Sequence, residues 1–498
     1  MRWRMQSRAV AVGCGLALAA ASAGLVFARS TVDSYDANIM VHVTESMVQR
    51  HNLLVPHSVD PFNLNSPYSF YGLGMSLLFA PFYIAAEHLH QDAIAWAMSA
   101  NAFVFAATVV VLFRLAQALG GDLRHAVTTA CLTGFGTLLL PYTSTGFSEP
   151  SVALATALGL LGICLARSRP TSGSMLAGAS AGLALLMRTD SLLLIVPFLL
   201  IGSWLEARQQ GWPADAGNPS PDVKRGSRPL TSKRWLNVGL FLTAFAPFAL
   251  TVAWYNMLRF GAPWRLGYGA QGFGHPWLTG AWGLLFSPGA GLLWYVPLLV
   301  LAVAGWALAC RRMPVLVGTS AALLVARIAL YAAWGDWPGL VSWGPRFLVP
   351  AMPALAVGIG EVVRRFHRLP LAVKLAVPAI AALSLAVQLV GSSVRPEANH
   401  MIQAVILIST NEPGSQVGCA SVAGPTRPGP DQVLFDWRCF PITDEAQQLL
   451  HGQALLTGQY LGPPVDERRL GLLTLLLAAG LDVALVVSGG RETAGELR

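Results

Sequence analysis

Two carboxylates that could act as a general base lie just after the first hydrophobic segment of the chain. Asp33 and Asp36 stand in the sequence DSYDANIM, which follows the apolar run 9–28. Read as a helix, this sequence has Asp33 or Ser34 at the N-cap and Asp36 in the first turn, where the helix dipole favours the charged carboxylate. A carboxylate there can accept a proton. The spacing leaves open which aspartate does so, and both could serve only to cap and stabilise the helix.

Other polar residues lie in or beside apolar segments of the chain. The membrane topology predicted below places them on the same side as these aspartates. Charges at membrane depth are costly and usually face a cavity or a partner, so we expect a cavity that opens outward. Arg188 could instead form a local ion pair with Asp190, and Asp336 has the same alternative with Arg346. The residues expected at the cavity are Tyr68, Glu149, Arg188, Asp190, Tyr255, Asn256, Arg259, Tyr268, Asp336 and Arg346.

The elements that must position these residues are membrane-spanning helices. Hydrophobic residues make up 54% of the 498 residues and charged residues only 12%, and the mean hydropathy is +0.54. A helix needs about 20 apolar residues to cross a bilayer, and segments near that length recur along the chain. We therefore predict an all-α polytopic membrane protein with about 12 transmembrane helices, and with interfacial helices in a first external loop at 29–94.

Basic residues predict how these helices are oriented. Arg2, Arg4 and Arg8 precede the first apolar run, which holds the N-terminus in the cytoplasm and puts Asp36 outside. The net charge of +8 thus mainly reflects basic residues that orient the membrane-spanning helices, and it does not indicate nucleic-acid binding. We predict a multi-pass protein of the cytoplasmic membrane whose site faces the periplasm or exterior, with both chain ends in the cytoplasm.

The chain divides into three predicted parts. Residues 1–391 form a transmembrane core, which contains a Pro-rich, basic cytoplasmic linker at 206–235. Residues 392–469 form an external C-terminal region, and residues 470–498 form a final transmembrane helix with a cytoplasmic tail. In the external region Cys419 and Cys439 are expected to form a disulfide, worth roughly 3 kcal/mol to a small subdomain.

The sequence lacks two common kinds of site. Its cysteines and histidines do not have metal-ligand spacing, so no metal site is predicted. It also has no Gly-rich loop of the nucleotide-binding kind, so a soluble nucleotide sugar is not indicated as a donor.

Seven segments, taken in order, resemble the GT-C superfamily of integral membrane glycosyltransferases. The likeness is greatest to bacterial members of the protein mannosyltransferase and aminoarabinose transferase type, and it covers residues 9–391. Residues from 392 onward do not contribute to the resemblance. The seven segments are DSYDANIM, PYSFYGLGMSLLFAPFY, GFSEP, AGLALLMRTDSLLLIVP, YNMLRFGAPWRLGY, GLLFSPGAGLLWYVP and WGPRFLVPAMP.

This resemblance implies a glycosyltransferase that uses a polyprenyl-phosphate sugar. Such enzymes pass the sugar, with inversion at its anomeric carbon, to a hydroxyl on a glycan, lipid or protein at the outer membrane face. The family's catalytic aspartate corresponds to Asp36, with Asp33 as the competing position. Its phosphate-binding arginines correspond to Arg346 and, less directly, to Arg188. No cofactor is certain, because use of a divalent cation varies within the family.

A protein of another class could share this architecture. A secondary transporter or a lipid-linked glycan flippase also has many spans, but transporters tend to carry internal repeats, and we find none here. The two long external loops favour an enzyme instead. A polymerase or ligase of lipid-linked glycans would share the donor chemistry, and the sequence does not separate it from a transferase.

Overall fold

The computed structural model describes residues 2–28, 32, 34–56, 59, 67–208, 230–265, 272–339, 342–393 and 430–450. Within these ranges the chain is helical, and its only β pairing is two isolated bridges, Leu54 with Tyr68 and Phe273 with Trp334. The predicted all-α class is therefore confirmed.

The helices follow one another closely along the chain. They are α1 (Arg2–Phe27), α2 (Tyr35–Gln49), α3 (Gly74–His88), α4 (Ala93–Met98), α5 (Ala100–Ala118), α6 (Leu123–Phe135), α7 (Glu149–Ala166), α8 (Pro170–Met187), α9 (Ser191–Leu194), α10 (Val196–Arg208), α11 (Leu230–Phe260), α12 (Trp277–Phe286), α13 (Leu292–Tyr295), α14 (Leu298–Ala309), α15 (Pro314–Ala332), α16 (Met352–Arg365), α17 (Leu371–Ser393), α18 (Pro430–Leu434) and α19 (Pro441–Leu450).

Eight helical segments of the described chain are long and apolar enough to cross a membrane. Three further predicted spans correspond to α6, α8 and α14, which have 13, 18 and 12 residues and are not among these eight. Of the three, α6 and α14 are shorter than a usual span. The predicted final span, at 470–487, lies outside the described residues. The eight segments are Ser7–Phe27, Ala93–Ala118, Glu149–Ala166, Ser191–Arg208, Trp235–Phe260, Pro314–Ala332, Arg346–Arg368 and Leu371–Ser393.

The helix that carries Asp36 begins where the sequence predicts. Ser34 is the N-cap of α2, and its hydroxyl accepts a hydrogen bond from the Ala37 amide at 3.2 Å. Asp36 stands in the first turn. Two hydroxyls tie α2 to α3: Thr44 donates to the Ser76 carbonyl at 3.1 Å, and Ser76 donates to the Met40 carbonyl at 2.8 Å. Asp36 therefore lies on a helix that is fixed to its neighbour.

The spanning helices approach closely where their residues are small. Gly305 of α14 and Gly358 of α16 lie against each other's helix so closely that a Cβ on either would overlap a backbone carbonyl of the facing helix. Such contacts let helices pack through their backbones, which favours association in a membrane. The α14–α16 contact orients α16, whose N-terminal end follows the Arg346 segment.

The two ends of the helix bundle differ in charge. At one end, beside the C-terminal ends of α5, α14 and α16, the buried carboxylate of Glu361 binds three arginines, Arg312, Arg364 and Arg365. One acidic and three basic side chains leave this cluster net positive. The site described below lies at the opposite end, where α1 and α8 finish and α7 and α16 begin.

Part of the C-terminal region packs on the loops that precede α12 and follow α15. Asp431 of α18 accepts hydrogen bonds from Trp337 Nε1 at 3.1 Å and contacts His275 Nε2 at 2.9 Å. Cys439 is disulfide-bonded, whereas Cys419, its predicted partner, lies outside the described residues.

Candidate functional site

A row of alternating carboxylates and arginines forms the centre of the site. Arg346 contacts Asp36 Oδ2 through Nη1 at 3.5 Å and Glu149 Oε1 through Nε at 3.5 Å. Arg188 contacts the same Glu149 oxygen at 2.7 Å and Asp190 Oδ1 at 3.4 Å. Arg327 extends the row, with Nη1 3.7 Å from Asp190 Oδ2. Three acidic and three basic side chains make the row electrically neutral. Pairing of this kind lowers the free-energy cost of charges at membrane depth.

Distant segments of the chain place these side chains together. Glu149 lies in the first turn of α7, where the helix dipole stabilises a carboxylate. Arg188 is the extended C-cap residue of α8, with φ −147° and ψ 127°, so its side chain leaves the helix axis toward α7. Arg346 begins the short 3₁₀ helix that leads into α16.

The Asp36 carboxylate is held through both of its oxygens. The Tyr71 hydroxyl donates a hydrogen bond to Oδ1 at 2.7 Å, and Arg346 approaches Oδ2. The Asp36 side chain is still 21% exposed, in contrast to 1% for Glu149. Of the three carboxylates in the row, Asp36 is therefore the most accessible to a substrate.

Aromatic rings enclose the arginines. The Arg346 guanidinium lies 4.4 Å from the centre of the Phe147 ring and 4.9 Å from that of Phe347. Phe347 also stacks on Tyr331, with ring centres 4.1 Å apart. A planar cation between aromatic faces is stabilised by cation–π attraction. The rings therefore contact the faces of the Arg346 guanidinium. Its N–H groups lie in the guanidinium plane and do not point at the rings.

Asp190 is the most firmly paired acid of the row. The Tyr331 hydroxyl donates a short hydrogen bond to Oδ2. Burial by itself would raise the pKa of the Asp190 carboxyl, but the two arginines beside it and this hydroxyl lower the pKa below its ordinary value. The arginines and the hydroxyl thus favour the charged form of Asp190, which contacts Arg188 Nε.

A small polar cavity joins Asp36 to Arg188. Its volume is about 20 Å³, room for about one water molecule. The α2–α3 loop covers it. The residues that line it are Asp36, Met40, Phe70, Tyr71, Gly72, Ser148, Met187, Arg188, Thr189 and Arg259.

The predicted residues of α11 form a second cluster beside this cavity. Arg259, 7% exposed, donates to Asn256 Oδ1 at 2.5 Å, and its guanidinium lies 4.4 Å from the centre of the Tyr255 ring. It also binds backbone carbonyls of the loop before α3. The two clusters therefore meet at that loop.

The remaining predicted site residues fall in different places. Tyr68 pairs with Leu54 in an isolated bridge at the edge of the same loop. Asp336 lies in the turn after α15, where its carbonyl accepts a hydrogen bond from the Gly339 amide at 3.0 Å. Asp33 and Tyr268 lie outside the described residues.

Sequence reasoning did not assign Tyr71 or Arg327 to the site. Tyr71 belongs to the segment PYSFYGLG, whose glycines and aromatics were the available signal. Arg327 is an isolated cation deep in an apolar helix and is 1% exposed, a position that calls for a buried partner. That partner is Asp190.

The acids of the site are arranged for pairing with arginine. Among the described residues, no group of three or more His, Cys, Asp or Glu side chains is placed to hold a metal ion. Asp36, Glu149 and Asp190 alternate with cations instead of converging on one point.

Comparison with known proteins finds similarity in structure only. No protein-family model matches the sequence, and none of the curated proteins matches it. ArnT from Cupriavidus metallidurans, in its apo crystal structure, is 13% identical, with a TM-score of 0.47 over 97% of this chain and 78% of that chain. Its structure bound to undecaprenyl phosphate is 14% identical, with a TM-score of 0.45 over 98% and 78% of the two chains.

An archaeal structure is similar to the same degree. The apo oligosaccharyltransferase of Archaeoglobus fulgidus is 13% identical, with a TM-score of 0.47, over 84% of this chain and 61% of that chain.

Proposed function

We propose that this protein transfers a sugar from a polyprenyl-phosphate donor to a hydroxyl of a glycan, lipid or protein acceptor at the outer membrane face. The observation that carries the proposal is the shared cavity of Asp36 and Arg188. One side chain there can take a proton, and the other can hold a phosphate. The sequence resemblance supplies the class of donor.

The proposed reaction is a single displacement. Asp36 takes the proton of the acceptor hydroxyl, and that oxygen forms a bond to the anomeric carbon of the sugar. The bond from this carbon to the phosphate oxygen breaks, and polyprenyl phosphate leaves with the electron pair. Because attack comes from the face opposite the leaving group, the anomeric configuration inverts.

The arginines of the row suit the leaving group. Arginine stays charged in an apolar cleft and binds phosphate oxygens through a fork of N–H donors. Arg346 Nε lies 3.5 Å from Glu149 Oε1 and donates no hydrogen bond to a described residue. A phosphate oxygen that enters would compete with Glu149 for this N–H. Arg188 would reach the same phosphate from the other side of the cavity.

The proposed function can be tested with purified protein in liposomes. We expect it to consume undecaprenyl-phosphate mannose, glucose or aminoarabinose in the presence of a bacterial envelope extract, and to release undecaprenyl phosphate together with a glycosylated product. Heat-denatured protein is the control. Movement of an intact lipid-linked sugar across the bilayer, without release of undecaprenyl phosphate, would instead identify a flippase and contradict the proposal.

We propose that the site faces outward because the opposite end of the bundle carries the excess of basic residues, the pattern of a cytoplasmic surface. Tyr35, next to Asp36, is 42% exposed, and Cys310, near the basic end, is a free and exposed thiol. In spheroplasts we expect an impermeant maleimide to label Tyr35→Cys at once and Cys310 only after permeabilisation. The reverse order, read by peptide mass spectrometry, would refute the outward orientation.

A further inference from the structure

Arg259 joins the end of α11 to the loop that precedes α3. Its Nη1 donates to three consecutive backbone carbonyls, at 3.2 Å, 2.8 Å and 2.8 Å, those of Ser69, Phe70 and Tyr71. Three carbonyls that converge on one nitrogen require the loop to curl around it. The Arg259 cation therefore holds the loop in a curled backbone conformation.

The surroundings of Arg259 need a planar cation with several donors. Its guanidinium lies 4.4 Å from the Tyr255 ring centre and 4.5 Å from that of Phe260, while Nη2 is engaged by Asn256. A lysine ammonium is a single point charge on a flexible stem and does not stack in this way. It cannot serve the carbonyls from one nitrogen and Asn256 from another.

The loop is also held on its other side. A Cβ on Gly74 would lie 2.5 Å from the Leu186 carbonyl oxygen at the end of α8, so the backbones touch there. Within the loop, the Tyr71 amide donates to Ser69 Oγ at 2.9 Å. The backbone of Tyr71 is thus held through its N–H by Ser69 and through its carbonyl by Arg259.

The side chain of this restrained residue reaches the proposed base. Tyr71 donates its hydroxyl proton to Asp36 Oδ1 at 2.7 Å. We propose, on the basis of the proposed function, that Arg259 is a positioning residue, which acts through Tyr71 to orient the Asp36 carboxylate. In this role Arg259 acts on the loop through Nη1 and on Asn256 through Nη2, and the role requires no contact with the donor phosphate.

Kinetics can separate positioning from binding. We expect Arg259→Lys to lower the rate of sugar transfer by about 10-fold to 100-fold, as small misplacements of a catalytic group do, while the affinity for undecaprenyl phosphate stays unchanged. Tyr71→Phe should behave in the same way. The double variant should be no slower than Tyr71→Phe alone, because both changes interrupt one chain of contacts.

Two kinetic results would overturn the role. A loss of undecaprenyl phosphate affinity equal to the loss of rate would make Arg259 a donor-binding residue. Losses that multiply in the double variant would show that Arg259 does not act through Tyr71. Arg114→Lys is the matched control, since Arg114 is exposed near the opposite end of the bundle and should leave both quantities unchanged.

Hydrogen–deuterium exchange gives a readout that does not depend on activity. We expect Arg259→Lys to speed amide exchange in 67–73 and in the first turn of α2, and Arg114→Lys to change neither. Unchanged exchange in 67–73 would refute the positioning role, even in an active enzyme. If the unmodified protein transfers no sugar, the proposed function fails, but the exchange result still decides whether Arg259 holds the loop.

Discussion

Replacing Asp36 by Asn is expected to slow sugar transfer by about 10²-fold to 10⁴-fold, the usual loss when a general base is removed. Asn keeps the size of Asp and still offers an oxygen to the Tyr71 hydroxyl, so the loop contact at 2.7 Å can persist. The variant loses proton acceptance and also the negative charge beside Arg346 Nη1, so a change in phosphate affinity would report the second loss. The measurement is the initial rate of donor consumption in liposomes, with undecaprenyl phosphate affinity measured in parallel.

The same helix offers a control for this variant. Glu45 is about half a turn round α2 from Asp36 and pairs with His42 Nδ1 at 2.6 Å. We expect Glu45→Gln to transfer sugar at the wild-type rate. Asp33→Asn should also do so if Asp36 is the base. A wild-type rate for Asp36→Asn, together with a large loss for Asp33→Asn, would move the base to Asp33.

The second large effect is expected at Glu149. Its Oε1 contacts Arg188 at 2.7 Å and Arg346 at 3.5 Å, and the side chain is 1% exposed. Glu149→Gln would leave three arginines with only two carboxylates in a buried row. Removing one member of a buried ion pair typically costs about 3–5 kcal/mol. We expect a marked fall in the apparent unfolding temperature in detergent, together with loss of sugar transfer.

A compensating substitution tests whether charge balance causes the loss at Glu149. Glu149→Gln combined with Arg188→Gln restores two acids and two arginines in the row, so we expect the unfolding temperature to rise again while transfer stays low. Glu87→Gln, at an exposed contact with Gln49, is the control and should unfold like the wild type. If the double variant unfolds below Glu149→Gln, the loss does not come from unbalanced charge.

The phosphate-binding role proposed for the arginines involves a competition. Arg346 and Arg188 are already paired with carboxylates, so a donor phosphate must share these cations with Asp36 and Glu149. Sharing is feasible because each guanidinium carries five N–H donors, and the Nε–H of Arg346, 3.5 Å from Glu149 Oε1, donates no hydrogen bond to a described residue. As Arg346 turns toward a phosphate, its attraction for Asp36 weakens and the base becomes freer to accept a proton.

The ion pairs of the site join residues that are both near and distant in the sequence. Arg188 and Asp190 are two residues apart and do form an ion pair, at 3.4 Å, but this pair is one link of a longer row. Arg346 contacts Asp36 and Glu149, which precede it by more than 190 positions. Sequence proximity identified local partners and missed distant ones.

The sequence by itself determined the class of the fold and the first turn of α2. Apolar length and basic flanks specify spanning helices because the bilayer requires about 20 apolar residues per crossing, and Ser34 with Asp36 specify a capped helix because their side chains act on the nearest amides. Only the tertiary structure decided which charges meet. The row from Asp36 to Arg327, and the contact of Tyr71 with Asp36, arise where helix ends distant in the chain converge, and pairing between such ends depends on packing in three dimensions that no local pattern of residues encodes.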